Sequence, residues 1–323
     1  MKAALLVRPG EIVIDEVPEP VLGPDDVLIA VGGVGLCGSD LSVFSGKWAS
    51  PASPWIMGHE AFGTIEAVGE NVPPGRVGET VVVEPNVACL TCEQCGRGRT
   101  SACVRRQSVG MSRQGALAER LVVPSPYAWA MPGIAPETLV CVEPTAVVLT
   151  ALRRLEAPLP ASVLVVGVGA QGLLMTLALV GRGVEVHARD LNPDRIALAK
   201  RLGAHVAAEE TQPFDLVIDT VGSPASVEWG FDRLEVAGTM LFLGLDGRPL
   251  EITSQSIVRR QAVLRGSLTY DHPGDFESTV DRIASGSFAP GAVVTDRYPL
   301  DRVQEAFERS PRAAGKTWIR VGD

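Results

Sequence analysis

No stretch of this chain approaches the roughly eighteen uncharged apolar residues that a membrane-spanning helix needs, so no span is expected. The first residues, MKAALLVRPGEIVIDEV, hold a five-residue apolar run before Arg8 and nothing like a cleavage site; they read as a first strand and not as a signal peptide. Basic runs are missing too, with nothing longer than pairs such as Arg105–Arg106 and Arg259–Arg260. With 29 basic against 38 acidic residues the net charge is −9, which favours solubility and argues against nucleic-acid or anionic-membrane partners. Internal repeats and low-complexity segments are absent. The expected location is the cytoplasm, where thiols stay reduced and clustered cysteines bind metal in preference to forming disulfides.

What is present suffices for large cores: 46% of the 323 residues are apolar. That length exceeds one ordinary core, so two domains are expected. Residues 1–145 are rich in Gly and Pro, with short β-like runs at Val27–Val31, Gly63–Val68, Thr80–Val83 and Leu121–Val123. Turn signals such as Gly23-Pro24-Asp25-Asp26 separate them, the pattern of a mostly β domain. From about residue 146 the texture changes. A helix over Thr145–Leu155 precedes strands at Ser162–Val166, Val184–Ala188, Leu216–Asp219, Thr239–Leu243 and Val263–Gly266, with a helix at Pro193–Leu202. Strand–helix alternation implies a parallel, doubly wound sheet, so the fold class is α/β. A helix over Asp275–Ser285 and a strand over Thr317–Val321 close the chain.

Four of the six cysteines, Cys89, Cys92, Cys95 and Cys103, follow the spacing C-x2-C-x2-C-x7-C. Four thiolates so close in the chain can close a tetrahedral shell around Zn²⁺, and a closed all-cysteine shell is structural. Any chemistry then belongs at a second, open site. Cys37-Gly38-Ser39-Asp40 and Gly58-His59-Glu60 supply a thiol, an imidazole and carboxylates, the ligand types of a catalytic zinc that keeps one position open. Among the four histidines, His59 stands out, between two glycines and beside a carboxylate; His187, His205 and His272 read as ordinary surface or core residues. Glu143 lies where apolar sequence turns into the helix after it, and reads either as a ligand or as a helix N-terminal charge. Cys141 lacks a partner at ligand spacing and reads as a small buried hydrophobe.

Gly167-Val168-Gly169-Ala170-Gln171-Gly172 is a G-x-G-x-x-G between a β-branched strand and a helical run. The first Gly permits the tight turn, the second admits a pyrophosphate and the third allows close helix–strand packing. Asp190, 23 positions after Gly167, stands where a carboxylate accepts bonds from ribose hydroxyls and repels a 2′-phosphate. NAD is therefore expected ahead of NADP, although Arg189 and Arg195 flank the position. Asn192-Pro193 competes with Asp190 as the cap of the following helix.

Taken together, GLCGSD at 35–40, GHEAFG at 58–63, VEPNVACLTCEQC at 83–95, the glycine-rich turn and ARDLNPDR at 188–195 resemble the zinc-dependent medium-chain dehydrogenases of the alcohol dehydrogenase superfamily, in their polyol and threonine dehydrogenase branch. Gly244-Leu245, Leu264–Ser267 and Asp296–Leu300 extend the resemblance over nearly the whole chain. It implies a GroES-like β-barrel catalytic domain over 1–145 and 269–323, and a Rossmann domain over 146–268. It implies two zinc ions per chain. Cys37 and His59 are ligands of the catalytic one, with Glu60 and Glu143 as ligands or near neighbours; the four-cysteine lobe holds the other. Ser39 begins a proton relay, but Ser42 stands where many relatives carry a relay histidine, which leaves the route beyond Ser39 unassigned. Cofactor contacts fall on Gly167, Gly169, Gln171, Gly172, Asp190, Arg195, Val221, Gly244, Leu245, Ser267 and Leu268. The implied reaction moves hydride between NAD(P) and a secondary alcohol (polyol, cyclitol, sugar alcohol or amino alcohol), giving a ketone. The C-G-S-D-L-S run resembles cyclitol dehydrogenases. Phe44, Trp48 and Trp55 line a pocket or, more often for such residues, pack a core. Two alternatives are a zinc-free quinone or enone reductase, whose relatives lack the lobe and the Cys/His pair, and a non-catalytic nucleotide- or metal-binding protein. A homodimer or homotetramer is implied as well.

Overall fold

A long strand, Asp26–Gly35, is the axis of the first part of the molecule, and its inward residues Val27, Ile29, Val31 and Val34 are buried. In this computed structural model, which describes residues 1–155, 158–208 and 212–322, the chain divides into two units: Met1–Pro144 with Asp271–Asp323, and Thr145–Tyr270. The sheet of the first unit runs Ala128–Ala130, Thr80–Val83, Glu60–Val68, Asp26–Gly35, Lys316–Arg320, Val294–Pro299, and Arg120–Pro124 also pairs with the central strand. Its core joins Val27, Ile29, Ile65, Val81, Leu117 and Ile319 to Phe307 of a C-terminal helix.

The run expected over Val27–Val31 continues as a strand through Gly32-Gly33 to Gly35. Phe62 and Trp318 lie over this stretch with their rings 6.0 Å apart. A Cβ on Gly33 would sit 2.5 Å from the Trp318 ring and 2.7 Å from that of Phe62. Glycine here makes room for aromatic packing and does not turn the chain.

The second unit is a parallel sheet in the order His205–Val206, Glu185–Arg189, Ser162–Val166, Phe214–Asp219, Leu234–Phe242, Val263–Gly266. In chain order this is 3-2-1-4-5-6, the dinucleotide-binding arrangement. Ser162–Val166 is central, which explains its unbroken apolar run: a strand covered on both faces has no polar side to show. Leu164, Val166, Val217 and Met240 pack against Val227 and Phe231 of the helix Pro224–Asp232. Two boundaries here differ by three residues or more from those expected. The helix Val142–Arg153 starts three residues early because Glu143 and Pro144 form its first turn, a position proline favours. The strand Leu234–Phe242 starts five residues early; Ala237, at φ 65°, lies where the pairing register shifts and hides the alternation. Among the described residues no helix is long and apolar enough to cross a membrane.

Candidate active site

Cys37 ends the run after the central strand and forms the N-terminal cap of the short helix Gly38–Phe44, while His59 immediately precedes the strand Glu60–Val68. Antiparallel pairing sets Gly35 opposite Glu60, which brings the two segments together. One ligand atom from each of Cys37, His59 and Glu60 lies within 4.8 Å of the others. Asp40 braces the arrangement from beneath. It accepts from the N–H of Cys37 at 3.0 Å and of Gly58 at 3.1 Å, and its Oδ1 is 3.3 Å from His59 Nδ1. Burial alone would push Asp40 up, but the His59 charge and those N–H groups hold it below the usual carboxylate range. Burial works against a charged His59 as well, yet Asp40 and then Cys37 raise its pKa well above the ordinary value.

A cation fits these donors. Thiolate, imidazole and carboxylate are zinc ligand types, three of them leave a fourth position open, and Glu60 Oε1 is buried without a hydrogen-bond partner. Asp40 supplies the outer carboxylate that orients a ligating histidine. Ser39 Oγ is 3.7 Å from Cys37 Sγ, at the edge of the cluster. Ser42 donates to the Gly38 carbonyl at 2.9 Å, so its hydroxyl is tied to its own helix. Glu143 is buried in the first turn of Val142–Arg153 and is not among the three clustered ligands. Trp55 is a core residue whose Nε1 donates to the Gly110 carbonyl at 3.0 Å; Phe44 meets the Phe307 ring at a tilt with centroids 5.1 Å apart, and Trp48 packs against the same core. These three belong to packing.

The lobe cysteines also converge, all four Sγ atoms lying within 4.8 Å of one another. Zn–S bonds of about 2.3 Å give a tetrahedron with edges of about 3.8 Å. Cys92 Sγ is 3.5 Å from Cys95 Sγ and 3.9 Å from Cys103 Sγ, on either side of that edge. Backbone N–H groups, that of Thr91 first, lower Cys89 to about 5, while burial and neighbouring thiols push Cys95 up to about 12. One dication resolves that conflict by binding all four as thiolates.

Local sequence hid how the lobe is fastened. His272, expected as an ordinary histidine, is half-buried and places Nδ1 2.9 Å from Glu84 Oε2, to which Trp129 Nε1 also donates at 2.9 Å. Its ring stacks on Tyr127 at 4.3 Å, and the Tyr127 hydroxyl accepts from Ala88 N–H, next to Cys89. At the other end of the lobe Thr100 Oγ1 accepts from His272 N–H at 2.6 Å, and Ser101 N–H donates to Asp271. Pairing a His with a glutamate 188 positions away has no local signature.

In the second unit the ends of the parallel strands collect the expected cofactor residues on one edge. Gly167, at φ 83°, makes the turn; a Cβ on Gly172 would run into the Gly167 carbonyl oxygen, which confirms the need for close approach. Gly169 is the N-cap of Ala170–Val180 with no side-chain cap, leaving the helix amides for an anion. Gln171 Oε1 is buried without a hydrogen-bond partner. Asp190 accepts from Val168 N–H and Asn192 N–H, both at 2.8 Å, and lies 3.8 Å from Arg195 Nη1. The cap of Pro193–Arg201 is Asn192, which accepts from Asp194 N–H at 2.9 Å, so Asp190 does not serve as that cap. Val221, Leu245 and Leu268 follow the next three strands and stay about half exposed, at 45%, 51% and 55%. Gly244 packs against Gly222, while Ser267 is buried and its Oγ lies 3.2 Å from Arg154 Nη1.

A dinucleotide-type sheet in one chain with a thiolate–imidazole–carboxylate cluster and a four-cysteine lobe defines a metal-using oxidoreductase. Comparison with known proteins agrees. Residues 23–133 match the alcohol dehydrogenase GroES-like domain and residues 170–285 the zinc-binding dehydrogenase model. D-altritol 5-dehydrogenase of Agrobacterium fabrum is 30% identical, covering 96% of each chain; sorbitol dehydrogenase of Bacillus subtilis is 30% identical over 96% of this chain and 93% of its own. Among solved structures, a short chain alcohol dehydrogenase of Escherichia coli complexed with NADH superposes with a TM-score of 0.90, at 26% identity over 99% of each chain. The chain belongs to the zinc-type medium-chain dehydrogenases of the alcohol dehydrogenase superfamily, a family of NAD(P)-dependent oxidoreductases.

Proposed function

We propose that this protein oxidises a secondary hydroxyl of a polyol to a ketone with NAD, using one catalytic and one structural zinc. The observation that carries the reading is the convergence of Cys37, His59 and Glu60 as three unlike ligands with one position left. Zinc held there supplies Lewis acidity toward the substrate oxygen, and bound NAD supplies the hydride acceptor. Cys37, His59 and Glu60 would hold the metal, Asp40 faces the imidazole Nδ1 at 3.3 Å, and Glu143 adds negative charge from the first turn of its helix. Ser39 takes the hydroxyl proton as it leaves the substrate. Ser39 passes its own proton on to solvent as it accepts, and Ser42, whose hydroxyl donates to the Gly38 carbonyl of its own helix, is bonded away from that path.

The glycine-rich turn and the amides of Ala170–Val180 receive the pyrophosphate. Asp190, with Val168 and Asn192 N–H groups fixing its carboxylate, accepts from the adenosine ribose and repels a 2′-phosphate. Val221, Leu245 and Leu268 offer the apolar contacts, Arg195, Gly244 and Ser267 the polar edge. D-altritol and sorbitol, the substrates named for two relatives, favour a polyol. The exposed edge strand Val263–Gly266, with Val263 and Leu264 45% and 39% exposed, supports a homo-oligomer that extends the sheet. Reduced cysteines in the lobe suit the cytoplasm.

The test is a panel of polyols, cyclitols and amino alcohols with NAD and NADP, followed by absorbance of the reduced cofactor, together with metal content. A polyol oxidised with NAD by protein holding two zincs per chain is expected. No NAD-linked oxidation across the panel, or full activity after the open-site metal is removed, would overturn the reading.

A further inference from the structure

Asp219 ends the strand Phe214–Asp219 as a fully buried carboxylate, on the edge where the expected cofactor residues collect. Parallel pairing sets it between Val166, the residue before the glycine-rich turn, and Phe242, the last residue of Leu234–Phe242. From there it ties together two turns that leave the sheet side by side. Its Oδ2 accepts from Gly222 N–H at 2.6 Å, which fixes the turn after its own strand. Its carbonyl oxygen accepts from Leu243 N–H at 2.8 Å and Gly244 N–H at 3.1 Å, which fixes the turn after the next. Oδ1 is buried with no hydrogen-bond partner. Burial pushes the carboxyl pKa up, and the Gly222 N–H, Ser226 and the Val221 N–H act against that.

The two turns also touch each other and the glycine-rich turn. A Cβ on Gly244 would run into Gly222 nitrogen and the Val221 carbonyl carbon, and one on Gly167 would run into Val221 Cγ2. Thr220, the residue after Asp219, donates through Oγ1 to the Gly167 carbonyl at 2.8 Å. A carboxylate buried at such a junction is costly unless its hydrogen bonds repay it.

In a doubly wound sheet of order 3-2-1-4-5-6 each half takes one mononucleotide. Asp190, after the second strand, belongs to the adenosine half, while Asp219 ends the fourth strand, in the other half. We propose that Asp219 is a positioning residue that sets the nicotinamide half of the cofactor edge before cofactor arrives, by fastening the turn at Val221–Gly222 to the turn at Leu243–Gly244. The proposal rests on the NAD-linked reading above.

Calorimetric binding of NAD and of ADP, with amide exchange in the cofactor-free enzyme, tests it. Asp219→Ala removes the acceptor for Gly222. The Kd for NAD should rise about tenfold or more, the range for a lost hydrogen bond to a charged group, while the Kd for ADP, which fills only the adenosine half, should be unchanged. Without cofactor, the Gly222 amide should exchange about tenfold or more faster than in the wild type. Asp219→Asn, which keeps an oxygen in reach of Gly222, should restore most of both. Equal losses for NAD and ADP would mark a merely structural role and overturn the proposal, as would unchanged NAD binding in Asp219→Ala. If Asp219→Ala does not fold, the wild type decides: Gly222 and Gly244 amides protected without NAD support the proposal, and protection that appears only when NAD is added overturns it. A wild type that binds neither NAD nor NADP would sink the dehydrogenase reading and this proposal with it. A wild type that binds NAD, with an indifferent Asp219→Ala, sinks the proposal alone.

Discussion

Cys37 and Cys141 both lie outside the lobe, and their surroundings separate them. Cys141 is fully buried; burial pushes its thiol up to about 12, so it stays protonated near neutral pH. Cys37 is half-buried among metal-ligand atoms. Replacing it with Ala should cut zinc content from two to one per chain. Turnover should fall about a thousandfold, the size of a lost Lewis acid worth several kcal/mol, with the melting temperature held by the lobe. Metal analysis and steady-state rates check this. Asp190→Asn removes a charge-assisted acceptor worth about 1.5–3 kcal/mol, so KM for NAD should rise about 10- to 100-fold and KM for NADP much less. A parallel rise for both cofactors would refute the ribose assignment. At this scale the ligand types were readable, because a thiol, an imidazole and a carboxylate announce metal wherever they fold. The Lys316 ammonium, which donates to Glu60, was not, since that partner is 256 positions away and a single lysine has no spacing to read.

Among elements, the glycine-rich turn and the helix Ala170–Val180 carry the sharpest constraint. Gly172→Ala places a methyl against the Gly167 carbonyl oxygen, so the helix must move away from the strand before it. The expected cost is about 1–3 kcal/mol, seen as a lower melting temperature, with KM for NAD raised because the helix amides no longer face the pyrophosphate. The alternation of strands and helices in the second unit was legible because its central strands, Ser162–Val166 and Phe214–Asp219, are short runs that are mostly apolar and buried. The central strand Asp26–Gly35 was only half legible: Gly32 and Gly33 in its second half face the rings of Phe62 and Trp318, which reach them from other strands. The helix around Glu143 was displaced for a related reason, a proline that starts a helix looking like one that ends it.

For the molecule as a whole, the two metal sites should part company under chelation. The open site offers a position to the chelator and the lobe does not, so zinc should leave in two phases, the first abolishing activity and the second lowering the melting temperature. A single phase in which both effects coincide would contradict an open and a closed shell. The lobe is tied at both ends to Asp271 and His272, where the chain returns to the first unit, so its loss should also loosen that segment, as read by amide exchange. The amino-acid sequence by itself determined the lobe, the glycine-rich turn and the acidic residue after the second strand. Each is built from residues close in the chain, whose spacing is already the geometry. The tertiary structure decided what depends on strand pairing: that Glu60 meets Lys316 across Gly35, that Glu84 meets His272, and that Cys141 is sealed away while Cys37 is not. Register and burial set which charges lie together at low dielectric, and neither is a property of any short stretch of chain.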